Sequence, residues 1–196
     1  MNILIKVIGI NGSPRKEGNT TIMIQEVFKT LEQYDIETEF IQLGGLNIRP
    51  CIACFKCCEL KNGGCIIKND VFHDIIEKMQ KADGIVLGSP VYTSDITPEM
   101  AALIDRAALV SYGNGGGMLK HKVGASLTAV RRAGGLHAFD TMNHFFHITE
   151  AILVGASYWN MGYGLQPGDV VKDEEGMRNM HNLAENMAWL LHRLHL

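Results

Sequence analysis

No hydrophobic run in the 196 residues approaches the roughly 20 apolar residues that a membrane-spanning helix needs. Excess positive charge is lacking too. Eighteen Lys and Arg stand against 21 Asp and Glu, a net charge of −3, which argues against a nucleic-acid partner. The N-terminus lacks a basic leader and a cleavage site and reads directly as a strand, so a cytoplasmic protein is expected. No Ser-His-Asp or HExxH pattern occurs, and hydrolase chemistry therefore has no support. Cysteine is absent everywhere except residues 51 to 65, where all five are packed together. A disulfide scaffold would spread them along the chain, whereas a cytosolic cluster reads as metal or redox chemistry.

What is present is ordinary globular composition, 46% hydrophobic and 20% charged. The length predicts one domain spanning 1–196, able to bury about 70% of its unfolded surface. An apolar run from Ile3 to Ile10 reads as the first strand, and Ile24, Phe28 and Leu31 mark the first helix. Ile36 to Leu43 alternates as a second strand. Residues 46–69 have no clean period and carry the cysteines; an insert this long usually has a function. Asn69 or Asp70 can cap a helix with the stripe Val71, Phe72, Ile75, Ile76 and Met79. Gly84 to Gly88 fits a strand buried on both faces. Thr97-Pro98 starts a helix reaching about Val110, and Gly113 to Gly117 must turn tightly or flex. Lys122 to Val130 is a fourth strand, Leu136 to His147 a helix, and Ala151 to Tyr158 a fifth strand. Asn160 to Asp169 reads as a loop, and the last helix starts near Asp173. Its stripe, from Met177 to Leu194, suits packing on the sheet better than a coiled-coil seam. This alternation predicts a parallel sheet covered on both faces by right-handed crossovers, with ligands beyond the carboxyl ends of the strands.

Three loops fall at that edge. The first, Gly9 to Thr20, reads GINGSPRKEGNT between a strand and a helix, an arrangement that makes an anion site. It has neither the Gly-Lys-Ser/Thr ending of a Walker loop nor the spacing of GxGxxG, and it suits a terminal phosphate monoester. Ser13, Thr20 and Thr21 offer hydroxyls, Asn19 an amide, and Arg15 or Lys16 a positive charge. The bland alternative is a well-capped turn. The other two loops are Ser89 to Ile96 and Arg131 to Gly135.

Taken together, Gly12-Ser13-Pro14-Arg15 with Asn19-Thr20, Ser89-Pro90-Val91-Tyr92, and Asp105-Arg106 resemble the NADPH-dependent FMN reductase branch of the flavodoxin-like superfamily. The resemblance implies an α/β, flavodoxin-like three-layer sandwich whose five-stranded parallel sheet has the order 2-1-3-4-5, with the Cys-rich insert after strand 2. It implies FMN across the three loops, contacted by Ser13, Arg15, Gly18, Asn19, Thr20, Pro90, Val91, Tyr92, Thr93, Ser94, Arg131, Arg132, Gly134 and Gly135. It further implies NAD(P)H as electron donor, an electron acceptor of unspecified identity, and a homodimer or homotetramer. A cation at Arg131 or Arg132 would favour the anionic reduced flavin; a solvated turn is the plainer reading of that pair. Hydride transfer to flavin needs no side-chain acid or base, so no catalytic residue is named. Asp105-Arg106 reads as a structural ion pair or an interface contact. His144 and His147 suit an interface or a surface, and Trp159 and Tyr163 suit the flavin pocket, a subunit contact or the core.

Cys51, Cys54 and Cys57 recur every three residues, and Cys65 completes a set of four. Three thiolates so spaced can take three corners of a [4Fe-4S] cubane, with the fourth from further on. Cys58 could replace Cys57. Zinc fits less well, because its sites usually take two separated pairs. Reduced cysteines packed as small hydrophobes, or a labile dithiol, are the remaining readings. The spacing resembles the motif of the iron–sulfur flavoproteins on the same fold, which implies electrons passing between cluster and flavin. Three functions therefore stand: an FMN-dependent NAD(P)H oxidoreductase, an electron-transfer partner that never uses NAD(P)H, and a redox- or metal-responsive cysteine protein.

Overall fold

The computed structural model describes residues 4–195; Ile3, which opens the first apolar run, lies outside them. Strand β1 (Lys6–Asn11) leads through the Gly12–Gly18 loop into α1 (Asn19–Glu32), and β2 (Glu37–Gln42) follows. The insert contains one short helix, α2 (Lys56–Leu60), before α3 (Phe72–Lys81). Then come β3 (Gly84–Pro90), α4 (Pro98–Gly113), β4 (Val123–Val130) and α5 (Gly135–Ile148). Two short strands, β5 (Ile152–Leu153) and β6 (Met161–Tyr163), precede α6 (Glu174–Leu194). The order across the sheet is β2-β1-β3-β4-β5, all parallel, as the alternation predicts. Among the described residues no helix is long and apolar enough to cross a membrane.

Alternate residues of each strand feed two cores, as a pleated sheet requires. Ile8, Ile10, Ile85 and Leu87 pack with α3, α4 and α5. Val7, Val86, Val123, Ala125 and Leu127 pack with α1 and α6, whose Met180, Leu183, Ala184, Met187 and Leu191 are buried. The α6 stripe therefore faces α1 and the sheet, not a coiled coil. Each fully buried side chain of this kind contributes about 1.5–3 kcal/mol of transfer free energy. Gly9 and Gly88 let α1 approach the sheet closely. A Cβ on either would come within 2.6 or 2.8 Å of Ile24, so a larger residue would push away the helix that carries the first loop's far end.

The expected fifth strand, Ala151 to Tyr158, is not one strand. It stops at Leu153, and the chain returns to β4 only at Met161–Tyr163, inside the stretch expected to be loop. Between them only Val154 N–H, to Gly124 O, and Asn160 O, from Thr128 N–H, still bond to β4, and the middle of the stretch hydrogen-bonds to α6. Asn179, buried, accepts from the Tyr158 N–H at 2.8 Å and donates to the Tyr158 carbonyl at 3.1 Å. Asn186 donates to the Gly155 carbonyl at 2.9 Å. Satisfying that backbone from a helix removes the drive to pair it in the ladder.

Candidate functional site

At the carboxyl edge, nine of the residues expected to bind the cofactor line one cleft of about 200 Å³: Ser13, Arg15, Gly18, Asn19, Thr20, Pro90, Val91, Tyr92 and Arg131. Ala129, Gly164 and Leu165 complete its wall. The remaining expected residues lie beside it. Thr93 and Ser94 form the tip of a tight turn closed by Tyr92 and Asp95, and both have positive φ. Gly134 abuts that turn; a Cβ there would come 2.8 Å from the Ser94 Cα. Gly135 opens α5 against Met161, and Arg132 is exposed. Trp159 and Tyr163 are about half exposed and outside the cleft, with Trp159 edge-on to Tyr158. His144 and His147 are exposed on α5.

The first loop ends at the start of α1, where Gly18 caps with extended backbone and no side chain caps the helix. The first intrahelical bond comes from Ile22 N–H to Gly18 O, leaving the amides of the first turn for a ligand. No acidic residue stands in that turn, so the positive end of the helix dipole is not offset. Arg15 adds a cation at the rim, where it is exposed.

A buried frame holds this loop from behind. Asn11 Nδ2 donates to Gln42 Oε1 at 2.9 Å and to Thr21 Oγ1 at 3.1 Å, while Asn11 Oδ1 accepts from Ser13 N–H at 3.0 Å. Gln42 Nε2 donates to Ser13 O at 2.7 Å. Thr97, fully buried, donates to Gly12 O at 2.9 Å and caps α4 by accepting from Met100 N–H, with Pro98 at the first helical position. Sequence reasoning missed Asn11 and Gln42. The available signal was a polar residue closing each of two neighbouring strands. On the opposite rim, Asp95 accepts from Thr141 Oγ1 at 2.9 Å and sits 3.4 Å from His137 Nε2, tying the Tyr92 turn to α5.

The cysteines form a second site. Cys51, Cys54, Cys57 and Cys65 border one cavity of about 20 Å³, walled by apolar side chains and by Arg106. Cys58 is not on it; it lies against Gly113, where a Cβ would come 2.9 Å from its sulfur. All five thiols are free. Among the described residues no three His, Cys, Asp or Glu side chains converge as they would on a single metal ion. A cubane makes a different demand, since each thiolate takes a separate corner. Ala53 and Phe55, which alternate with the cysteines, have φ of 50° and 55°, costly for L residues. That twist turns Ala53 N–H to within 3.4 Å of Cys51 Sγ. Burial, and next the adjoining Cys58, push the Cys57 thiol up, so a bare thiolate is disfavoured there. Four cysteines bordering one small, largely apolar cavity are a donor set that fits the thiolate chemistry of a cluster.

Arg106 secures the insert. Its guanidinium is buried, pairs with Asp70 Oδ2 at 2.5 Å, and donates to the carbonyls of Arg49 at 3.1 Å and Ile67 at 3.0 Å. It also stacks 4.0 Å over Phe72. The expected Asp105–Arg106 pair is thus corrected: the partner is Asp70, and Asp105 is exposed. Adjacent helical residues do not face one another. Burial alone would raise the Asp70 carboxyl. The Arg49 amide, the Arg106 guanidinium and the Phe72 amide outweigh it and hold the group below the usual carboxylate range.

Compared with known proteins, residues 5–166 match the family model of NADPH-dependent FMN reductases. The chain belongs to the NADPH-dependent FMN reductase family. Membership makes it an FMN-binding oxidoreductase. An iron–sulfur flavoprotein of Methanocaldococcus jannaschii is 39% identical over 191 residues, 94% of this chain and 96% of the relative. One from Methanosarcina thermophila is 31% identical, with 95% of each chain covered. Among solved structures, RosB with bound 8-demethyl-8-formylriboflavin-5'-phosphate aligns at a TM-score of 0.76 and 18% identity, covering 97% of this chain and 80% of that one. A WrbA-like flavodoxin from Agrobacterium tumefaciens aligns at 0.65 and 13%, covering 97% and 99%. Both share the flavodoxin-like fold of this family member.

Proposed function

We propose that the protein takes hydride from a nicotinamide nucleotide onto FMN and passes electrons onward through a [4Fe-4S] cluster held by Cys51, Cys54, Cys57 and Cys65. The observation that carries the flavin half is the single cleft joining an uncapped helix start to the Pro90–Tyr92 loop and Arg131. In this reading the α1 amides, Ser13, Thr20 and Arg15 hold the phosphate. Pro90, Val91 and Tyr92 flank the ring system, and Arg131 lies where positive charge would favour the reduced, anionic form. Bound FMN supplies the chemistry, accepting hydride and releasing electrons. The chain's own part is to orient it, wall one face with Tyr92, and hold both sites on α4. That helix starts at the cleft with Thr97 and reaches the cysteine cavity at Arg106, about two and a half turns later.

The cluster half is supported by the shared cavity and by the names of the iron–sulfur flavoprotein relatives. Those names mention no nicotinamide, which favours a second reading in which the protein only shuttles electrons. Anaerobic purification followed by a visible spectrum and iron and sulfide analysis tests both cofactors. Flavin with four irons and four sulfides per chain is the expected result, and flavin without iron would sink the cluster. Bleaching of the flavin by NADH or NADPH separates the readings: a pure electron shuttle stays yellow.

A further inference from the structure

A buried guanidinium normally has all its nitrogens engaged. Arg106 does not. Nη1 and Nη2 have partners, but among the described residues Nε makes no hydrogen bond, although the side chain is 1% exposed. Arg106 also lines the cysteine cavity, whose other non-cysteine walls are apolar. Its Nη groups are pinned to Asp70, Arg49 and Ile67, so the head cannot rotate to find another acceptor without releasing the insert. Of the side chains bordering that space, only those of the cysteines can accept a hydrogen bond.

We propose that Arg106 tunes the cysteine site, its Nε–H donating a hydrogen bond to a sulfur of the cluster held by Cys51, Cys54, Cys57 and Cys65. The proposal rests on the cluster reading above. Hydrogen bonds to cluster sulfurs and lower net charge favour the reduced form. Because Asp70 balances the guanidinium charge at 2.5 Å, the donor acts mainly as a hydrogen bond and not as a net cation. Arg106 is therefore a positioning and tuning residue, distinct from the sulfur ligands.

The test compares the native protein with an Asp70→Asn plus Arg106→Gln variant, which removes both charges together and so leaves no unpaired ion. Anaerobic, EPR-monitored redox titration is expected to show the cluster's one-electron equilibrium shifted at least tenfold toward the oxidised form, about 59 mV lower. The FMN content should be unchanged. An unshifted potential overturns the proposal. Should the variant fail to fold, a protein that keeps both Asp70 and Arg106 answers the same question. Protein labelled with 15N at arginine Nε, in an Arg49→Lys background, should give a 15N hyperfine coupling to the reduced cluster. Iron and sulfide present without that coupling overturns the tuning role alone. Absence of iron and sulfide overturns the cluster reading, and the tuning role with it.

Discussion

The two sites are built on opposite plans. The Gly12–Gly18 end of the cleft is assembled from regular elements, and its frame closes on itself. Asn11 and Gln42 at two strand ends, and Thr97 at a helix start, satisfy the loop from behind. The cysteine site stands on an insert with one five-residue helix and positive φ at Ala53, Phe55 and Lys61, and its entry and exit converge on one buried ion pair. The first is shaped before its ligand arrives. The second concentrates its order in Arg106 and Asp70, so damage there should be severe and local, whereas damage at the cleft should be graded.

The largest expected effect follows from that contrast. Asp70→Ala leaves a buried guanidinium unpaired and should cost about 3–5 kcal/mol. Chemical denaturation of the metal-free protein checks it, and a loss under about 1 kcal/mol would erase the distinction between the sites. The pair also sets a pH dependence. Asp70 titrates lower in the folded state than in the unfolded chain, so its stabilisation is full above the unfolded value of about 3.9 and is lost as pH falls through the folded value. Denaturant titrations should therefore show the native protein losing more stability between neutral and acid pH than Asp70→Asn does, and equal losses would remove the linkage.

At the cleft, Gly44→Ala is next in size. A Cβ there would lie 2.2 Å from the Ser13 carbonyl carbon, so the loop must move, at about 1–3 kcal/mol. FMN affinity by fluorescence quenching should fall at least tenfold, with iron content unaffected. Ser13→Ala plus Arg15→Ala should weaken FMN by about 1.5–3 kcal/mol through a lost charged hydrogen bond; unchanged binding would remove the phosphate from this loop. The smallest expected effect is that of Cys58→Ser. Because Cys58 lies off the cavity, iron and sulfide content should match the native protein, while Cys57→Ser should lose the cluster. The reverse outcome would exchange the two ligands.

The same contrast governs what can be read from the chain. Strand order and the placement of the Gly12–Gly18 and Pro90–Tyr92 loops at one sheet edge are written locally, in periodicity and in residues a few positions apart, and they emerge where expected. The frame is not. Nothing near Ser13 indicates that Gln42, 29 residues on, will hold its carbonyl. Arg106 has an acidic neighbour in sequence, yet its partner lies 36 residues earlier, on the far leg of the insert. The split of the last strand has the same origin. Ala151 to Tyr158 is apolar enough for a strand, and the arrival of Asn179 and Asn186 from α6 draws its middle off the sheet. Local signals set the elements; long-range polar contacts decide their ends.

Helix α4 touches both plans, and its stiffness has a consequence for motion. Its first residues grip the Gly12–Gly18 loop through Thr97 and accept from Gly45 N–H through Glu99 at 3.3 Å. Its middle grips the insert through Arg106, and Asn114 at its end accepts from Gly63 N–H at 2.8 Å. A hydrogen-bonded helix transmits axial displacement with little loss, so the two sites share one mechanical reference. A shift that loosens the cleft along this axis must also pull on the loop that carries the cysteines, and the spacing between the two sites is set by a single rod and not by the sum of two loops.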